Sequence, residues 1–347
     1  MRLTYLEDIQ MAKVGVLGTG TWGMALSRVL ADSGKHDVTC WSALPQEIDY
    51  FVATKRHPNL PGVPIPDEIC FTKDIEEAVT DKDVVLFAVP SVFVRSTAGK
   101  AAPFLKDGQI VADCAKGIEE GTMLFLTEVI ADEVSKVCPG KKLRLVALSG
   151  PSHAEEVAVD IPTSIVSASP DMEAAKVVQD VFMAGCLRVY TNTDIKGVEM
   201  CGALKNIIAL AVGASRGMGY GDNTTAALIT RGMGEISALG VAIGCDQQTF
   251  NGLAGIGDLI VTATSEHSRN NRCGEMIGKG IPVKKAIEKV GMVVEGINCL
   301  PAAVELMKRH DLDLPIISAV DKVVNGGETP AKMATYLMGR DKAHEFD

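Results

Sequence analysis

The chain is short of positive charge, of paired cysteines and of leader-like segments, and each shortage removes a class of function. Lys and Arg number 34 against 44 Asp and Glu, a formal net charge of −10. That balance excludes a broad phosphate-tracking face for nucleic acid, which needs a basic surface. It also means that a phosphate-bearing ligand must find its cations gathered locally, so Lys and Arg in unusual surroundings become informative. The nine cysteines (Cys40, Cys70, Cys114, Cys138, Cys186, Cys201, Cys245, Cys273 and Cys299) are dispersed, with no Cys-x-x-Cys pair. An odd, scattered set predicts reduced thiols packed as small apolar groups. The six histidines show no ligand spacing, so no metal site is expected. Residues 1–10 carry Glu7 and Asp8 and no apolar stretch of signal length, and the richest apolar run is read as Val84 to Val89, far too short to span a bilayer. A cytoplasmic protein with no membrane partner is expected. Because Met11 directly precedes the first strand-like run, residues 1–10 read as an N-terminal extension outside the fold.

What is present is apolar and orderly. With 347 residues, 47% of them hydrophobic, the chain can bury a large core and suits two domains better than one. Lys13 to Leu17 reads as a short buried strand, Met24 to Asp32 as a helix stopped by Gly34, and Val38 to Trp41 as a second strand. The alternation continues through a strand Ile69 to Phe71, a helix Asp74 to Val79 capped by Thr72, strands Val84 to Val89 and Gln109 to Ala112, a helix Met123 to Val137 and a strand Leu143 to Leu148. A last β-rich piece, Thr163 to Ser167 and Leu187 to Thr191 around a helix Met172 to Phe182, completes the sheet. Such alternation predicts an α/β fold built on a doubly wound parallel Rossmann-type sheet. After Asp194 the texture changes to long apolar helical segments: Ile195 to Ala214, Thr225 to Gly240, Lys284 to Val290, Leu300 to His310 and Ile316 to Val324. The predicted organisation is therefore a dinucleotide-binding domain over 11–194 and an all-α substrate and catalytic domain over 195–347.

Gly18, Gly20 and Gly23 match Gly-x-Gly-x-x-Gly directly after a strand and opening a helix. In that context the first glycine permits the tight turn, the second lets backbone approach a pyrophosphate, and the third lets helix pack on sheet. The diphosphate then meets the helix N-terminus, where unpaired N–H groups and the dipole favour anions. Where the second strand ends, at Trp41-Ser42-Ala43-Leu44, there is neither an acid for a ribose 2′-hydroxyl nor an Arg for a 2′-phosphate. Glu47 reads as a solvated residue more readily than as that acceptor. NAD and NADP both stay open, with a lean to NAD because the positive charge is missing.

From Met200 to Ala214 only Lys205 and Asn206 are polar. A lone ammonium in so apolar a helix either snorkels to the surface or is held in a dry cleft, where desolvation lowers its pKa. Asn206 tilts the reading to the cleft, since adjacent helix positions point about 100° apart and two polar groups can line one edge. A lysine held there can take the alcohol proton during oxidation and return it during ketone reduction.

Three further glycine-marked turns carry polar groups out of apolar runs. Lys116, in Ala115-Lys116-Gly117, follows a strand at the sheet edge where ligands bind in this architecture; it is a catalytic and ligand-binding candidate, against the commoner solvated loop lysine. Ser149-Gly150-Pro151-Ser152 offers hydroxyls and N–H groups, or is a plain turn with Ser152 as helix cap. His153 beside it is read as structural. Gly255-Ile256-Gly257-Asp258-Leu259 sets one carboxylate in an apolar stretch, near Thr262 and Thr264; an ion pair that orients Lys205 is the expectation, with a helix cap as the rival. Ser268-Arg269-Asn270-Asn271-Arg272 gathers guanidinium groups and amides suited to phosphate, or is an exposed polar loop.

These pieces, in this order, resemble the bacterial-type NAD(P)-dependent glycerol-3-phosphate dehydrogenases over nearly the whole chain, from about Ala12 to Arg340. The likeness rests on Gly18-Thr19-Gly20-Thr21-Trp22-Gly23, Val89-Pro90-Ser91, Lys116-Gly117, Ser149-Gly150-Pro151, Leu204-Lys205-Asn206, Gly255-Ile256-Gly257-Asp258-Leu259, Ser268-Arg269-Asn270 and Val294-Glu295-Gly296. The resemblance implies that Lys205 is the proton acceptor. It implies that Lys116, Gly150, Ser152, Asp258, Ser268, Arg269 and Asn270 surround glycerol phosphate. It further implies that Thr21, Trp22, Lys116, Ala154, Arg269, Val293 and Glu295 contact NAD or NADP, that the protein is a homodimer, and that it supplies glycerol phosphate for phospholipid synthesis. Similar enzymes often carry a basic residue where Ala43 stands here. Two other readings compete: another dehydrogenase of the β-hydroxyacid or 6-phosphogluconate group, which also joins a dinucleotide domain to a helical one, and a non-catalytic dinucleotide sensor, which would have no use for Lys205 or Asp258.

Overall fold

The computed structural model describes residues 11–342, 344 and 345, so the extension expected at 1–10 lies outside the described residues. The chain divides into two units. The first runs to Lys116 and resumes over Leu124–Glu199; the second comprises Gly117–Met123 and the chain from Met200 onward. The division falls inside a single helix, Ile195–Gly217.

The first unit is built on eight strands, β1 (Ala12–Leu17), β2 (His36–Trp41), β3 (Cys70–Thr72), β4 (Val84–Phe87), β5 (Ile110–Asp113), β6 (Arg144–Ser149), β7 (Thr163–Ala168) and β8 (Leu187–Asn192). They lie in the order β3-β2-β1-β4-β5-β6-β7-β8. All four residues of β4 are buried, as expected of a strand covered on both faces. Alternate residues serve opposite sides. Val84 and Leu86 join Met24, Leu26 and Val29 of the helix Thr21–Asp32, whereas Val85 and Phe87 join Val129, Ile130 and Val134 of the helix Leu126–Val137.

The sheet departs from the expected parallel pattern at one place, because β6 and β7 pair antiparallel. The link between them holds only one helical turn, Ala154–Val157, and a parallel return needs a full crossover connection. The helices Pro45–Thr54 and Val94–Ala101 were not expected. The first buries only Ile48 and Phe51, an apolar stripe too narrow to stand out in the sequence.

The second unit is helical, with no named strand among its described residues. Its central helix, Ile195–Gly217, is long and apolar enough by length and composition to cross a membrane, so Val84 to Val89 is not the chain's most extended apolar stretch. Its most apolar window is 89% buried within the protein, which marks it as an interior helix. It crosses the helix Arg269–Gly278 with backbones in contact. A Cβ on Gly213 would lie 2.0 Å from the Asn271 carbonyl oxygen, and one on Gly274 would lie 2.1 Å from that of Leu210. No helix is expected here from the sequence, which offers a phosphate-binding segment or an exposed polar loop, because only one face of this helix, with Cys273, Gly274 and Ile277, is apolar and buried. Elsewhere in the unit, Glu235 of the helix Asp222–Ala242 caps the helix Pro315–Val324 by accepting the Ile316 and Ile317 N–H groups at 2.6 and 3.0 Å. Burial pushes that carboxyl up to about 7.

Candidate active site

The three glycines after β1 have different duties. Gly18 has φ +119°, and a Cβ there would lie 2.7 Å from the Ala88 carbonyl. A Cβ on Gly23 would lie 2.2 Å from the Gly18 carbonyl oxygen. At Gly20 an added Cβ meets nothing within 4 Å. Gly18 and Gly23 are therefore demanded by the turn and its packing, while Gly20 faces open space. The helix Thr21–Asp32 begins there with no side-chain cap and no acid in its first turn, leaving its first N–H groups for an anion. These residues fit a dinucleotide's diphosphate. Thr21 and Trp22 open the helix, and Asn59 Nδ2 donates to Thr21 Oγ1 at 3.3 Å.

Two further groups, His57 and Glu47, hold this turn. The His57 ring stacks on Phe51 with centroids 5.4 Å apart. Its Nδ1 accepts from the Asn59 N–H at 3.2 Å, so Nε2 carries the proton that reaches the Thr19 carbonyl at 3.1 Å. Burial lowers the His57 pKa and favours this neutral form. Glu47 is half-buried, and its Oε2 accepts the Ser42 hydroxyl at 2.7 Å and the Thr19 hydroxyl at 3.2 Å. It is thus anchored to the end of β2 and to the glycine turn, where the sequence suggested a solvated residue.

At the ends of β5 and β6 three expected residues come together on one atom. Lys116 Nζ and the Ser152 hydroxyl both donate to the Gly150 carbonyl, at 3.4 and 3.0 Å. His153, not Ser152, occupies the cap position of the turn Ala154–Val157, and Ala154 is its buried first residue. Asp113, which the sequence reading passed over, accepts the Ala115 N–H at 3.3 Å and so shapes the loop leading to Lys116. Its Oδ2 is buried with no hydrogen-bond partner among the described residues. Burial and the Glu199 charge push this carboxyl well above its ordinary range, a shift toward the protonated form.

In the second unit the ammonium of Lys205 does not snorkel. Lys205 is 4% exposed and Asp258 1%. The two form an ion pair, and Lys205 Nζ also donates to Thr262 Oγ1 at 2.6 Å. Gly257 occupies the cap position of the helix Asp258–Thr264, so the cap reading of Asp258 gives way to the ion pair. Asn206 does not line a cleft edge; it is 5% exposed and accepts from Asn270 Nδ2 at 2.9 Å. Asn270 Oδ1 in turn accepts the Gly296 N–H at 2.9 Å. This amide chain joins the helices Ile195–Gly217, Arg269–Gly278 and Glu295–Arg309. Ser268 caps the second of these by accepting from Asn271 N at 3.2 Å, and Arg269 Nη1 donates to the Val293 carbonyl at 3.2 Å. Glu295 is the first residue of the third. Within this unit Ser268, Arg269 and Asn270, expected around a phosphate, thus meet the 293–296 segment, expected near a cofactor, at two helix starts.

Known proteins resemble this chain over both units. Residues 13–175 match the family profile described as NAD-dependent glycerol-3-phosphate dehydrogenase N-terminus, and residues 194–335 match that for its C-terminus. The chain is 61% identical, over 97% of its length and 99% of the relative's, to glycerol-3-phosphate dehydrogenase (NAD(P)+) 2 of Lactobacillus delbrueckii subsp. bulgaricus. It is 47% identical, over 96% of its length and 98% of the relative's, to the glycerol-3-phosphate dehydrogenase (NAD(P)+) of Agathobacter rectalis. The crystal structure of glycerol-3-phosphate dehydrogenase from Coxiella burnetii superposes with a TM-score of 0.89 at 33% identity, over 95% of this chain and 99% of that one. With an N-terminal sheet unit carrying the glycine turn and a helical unit carrying a buried lysine, this chain belongs to the NAD-dependent glycerol-3-phosphate dehydrogenase family.

Proposed function

We propose that the chain interconverts dihydroxyacetone phosphate and sn-glycerol 3-phosphate with NAD(P)(H). The observation that carries this reading is the buried Lys205–Asp258–Thr262 cluster, with its proton carrier in a stretch, Met200 to Ala214, whose one other polar residue is Asn206, within a chain 61% identical to a relative bearing that activity's name.

Bound nicotinamide supplies the two-electron redox chemistry, held through Gly18, Gly20, Gly23, Thr21 and Trp22, with Ala154, Val293 and Glu295 as further contacts. The protein's own part is to manage a proton and a phosphate. Lys205 Nζ gives a proton to the carbonyl oxygen as ketone becomes alcohol, and takes it from the hydroxyl in the reverse direction. Asp258 and Thr262 hold that nitrogen in one place, which removes the need to order a flexible side chain during the reaction. Help of this kind is worth about 10²–10⁴ in rate. Arg269, beside Ser268 and Asn270 at a helix start, meets the substrate phosphate with a guanidinium fork. Lys116, with Gly150 and Ser152, supplies a second cationic cluster for substrate and cofactor. The protein would work in the cytoplasm as a homodimer, and its product would feed phospholipid assembly.

The test is absorbance at the reduced-nicotinamide band with dihydroxyacetone phosphate and each of NADH and NADPH. Oxidation of either cofactor supports the proposal. Turnover of 6-phosphogluconate or 3-hydroxybutyrate with none of glycerol phosphate would move the chain to the neighbouring dehydrogenase group. Cofactor binding without turnover of any hydroxy compound would make it a sensor.

A further inference from the structure

We infer that Glu47 is the residue that selects the cofactor, accepting the adenosine ribose 2′-hydroxyl of NAD and repelling the 2′-phosphate of NADP; this rests on the dinucleotide role given above to the glycine turn.

In sheets of this topology the ribose next to the diphosphate reaches the end of the second strand, and an acidic acceptor there favours NAD. The end of β2 reads Ser42-Ala43-Leu44, with no acid and no cation. The carboxylate arrives instead from the following helix, Pro45–Thr54, of which Glu47 is the third residue. An acid at that position has an ordinary alternative duty, which is to reach back to the N–H of the capping residue. That duty is already filled here. The Leu44 N–H donates to the Ser42 hydroxyl at 3.1 Å, and that hydroxyl donates in turn to Glu47 Oε2. The Thr19 hydroxyl, from within the glycine turn, binds the same oxygen. Two hydroxyls from two segments therefore aim one carboxylate, and both use Oε2. Glu47 Oε1 accepts no hydrogen bond from the described residues. It remains half-exposed beside the turn whose second glycine faces open space.

A hydroxyl on the ribose can donate to Oε1. A phosphate ester in its place has no proton to give near neutral pH and brings like charge against a fixed carboxylate, a mismatch that is costly in a partly buried setting. Ser42 and Thr19 act as positioning residues.

Calorimetric titration with ADP-ribose and with 2′-phospho-ADP-ribose tests this without recourse to catalysis. The native protein should bind ADP-ribose at least about tenfold more tightly than its 2′-phosphate. Glu47→Gln, nearly isosteric, should bring the ratio close to one, and Ser42→Ala should lower it partway. The KM ratio for NADH and NADPH should move in parallel. Tighter binding of the 2′-phosphate by the native protein, or a ratio unchanged in Glu47→Gln, would overturn the inference while leaving the dehydrogenase reading intact. Failure of both ligands to bind would overturn the two together. A circular-dichroism melt on each variant separates altered recognition from unfolding.

Discussion

Lys205 and Asp258, 53 residues apart in sequence, close a buried ion pair inside the helical unit, with side chains 5% and 1% exposed. Removing either partner therefore has two separable consequences. Lys205→Ala should lower kcat by at least about 10²-fold, the range of general acid–base help, while leaving the dissociation constant for reduced cofactor within about twofold, because the glycine turn is untouched. Asp258→Ala strands a buried ammonium and should destabilise the fold by about 3–5 kcal/mol. Steady-state kinetics with cofactor titration checks the first, and denaturant unfolding of both variants checks the second. Native turnover in Lys205→Ala would remove the mechanism.

Gly18 and Gly20 should respond oppositely to the same methyl group. Gly18→Ala puts a Cβ at φ +119° and against the Ala88 backbone, a strain of about 1–3 kcal/mol visible as a lower Tm without ligand. Gly20→Ala meets no protein atom within 4 Å. It should melt like the native protein yet bind dinucleotide at least about tenfold more weakly, since the methyl enters the space kept for the diphosphate.

Arg269 and Asn270 are neighbours with different work. Arg269→Ala should raise the KM for dihydroxyacetone phosphate by about 10²-fold, the loss of a charge-assisted pair, with a smaller change in kcat. Asn270→Ala leaves the Gly296 N–H and the Asn206 carbonyl oxygen without their partner, so it should cost about 1–3 kcal/mol of stability. Kinetics and urea unfolding on the two variants give the contrast; equal stability losses would refute it.

Glu199 sets a pH dependence. It accepts the Thr127 N–H and hydroxyl at 3.0 and 2.6 Å, and burial raises its carboxyl to about 7 from 4.5. The folded state thus holds this proton more tightly than the unfolded chain. Its contribution to stability is full below the unfolded value, and it is lost as pH rises through about 7. Glu199→Gln mimics the neutral acid. The Tm of the variant minus that of the native protein should therefore grow between about pH 5 and about pH 8, measured by scanning calorimetry. A difference flat across that range would show that Glu199 does not titrate there.

The lean toward NAD drawn from the missing cation at Ala43 addressed only what the end of β2 lacks. Glu47 is offered by the sequence as an acceptor but reads more readily as solvated, because it sits on a helix whose narrow apolar stripe, Ile48 and Phe51, hides the helix itself. His57 was equally hidden, since a ring that holds Thr19 from 38 residues away has no neighbour in sequence to announce it. The Lys205 environment was half legible. A lone charge among apolar residues marked it as unusual, and the apolar stretch around Asp258 marked a second charge in need of a partner. That the two answer each other is expected from the sequence; that Thr262 joins them as third member follows from how their helices pack.

The sequence by itself determined what depends on neighbouring residues: the strand-turn-helix around Gly18 to Gly23, the helix Met172–Phe182 found at its predicted ends, and the change from alternating to purely helical texture. Turn stereochemistry, apolar periodicity and capping act over a few residues, so they can be read in order along the chain. Tertiary structure decided the reversal of β7, the backbone-to-backbone crossing at Gly213 and Gly274, the Asn206–Asn270 pairing, and the choice of ion pair over helix cap for Asp258. Those outcomes depend on which buried polar groups find partners once distant segments share an interior. A hydrogen bond spanning 64 residues leaves no local trace, and the cost of an unsatisfied buried group is set only when the packing around it is complete.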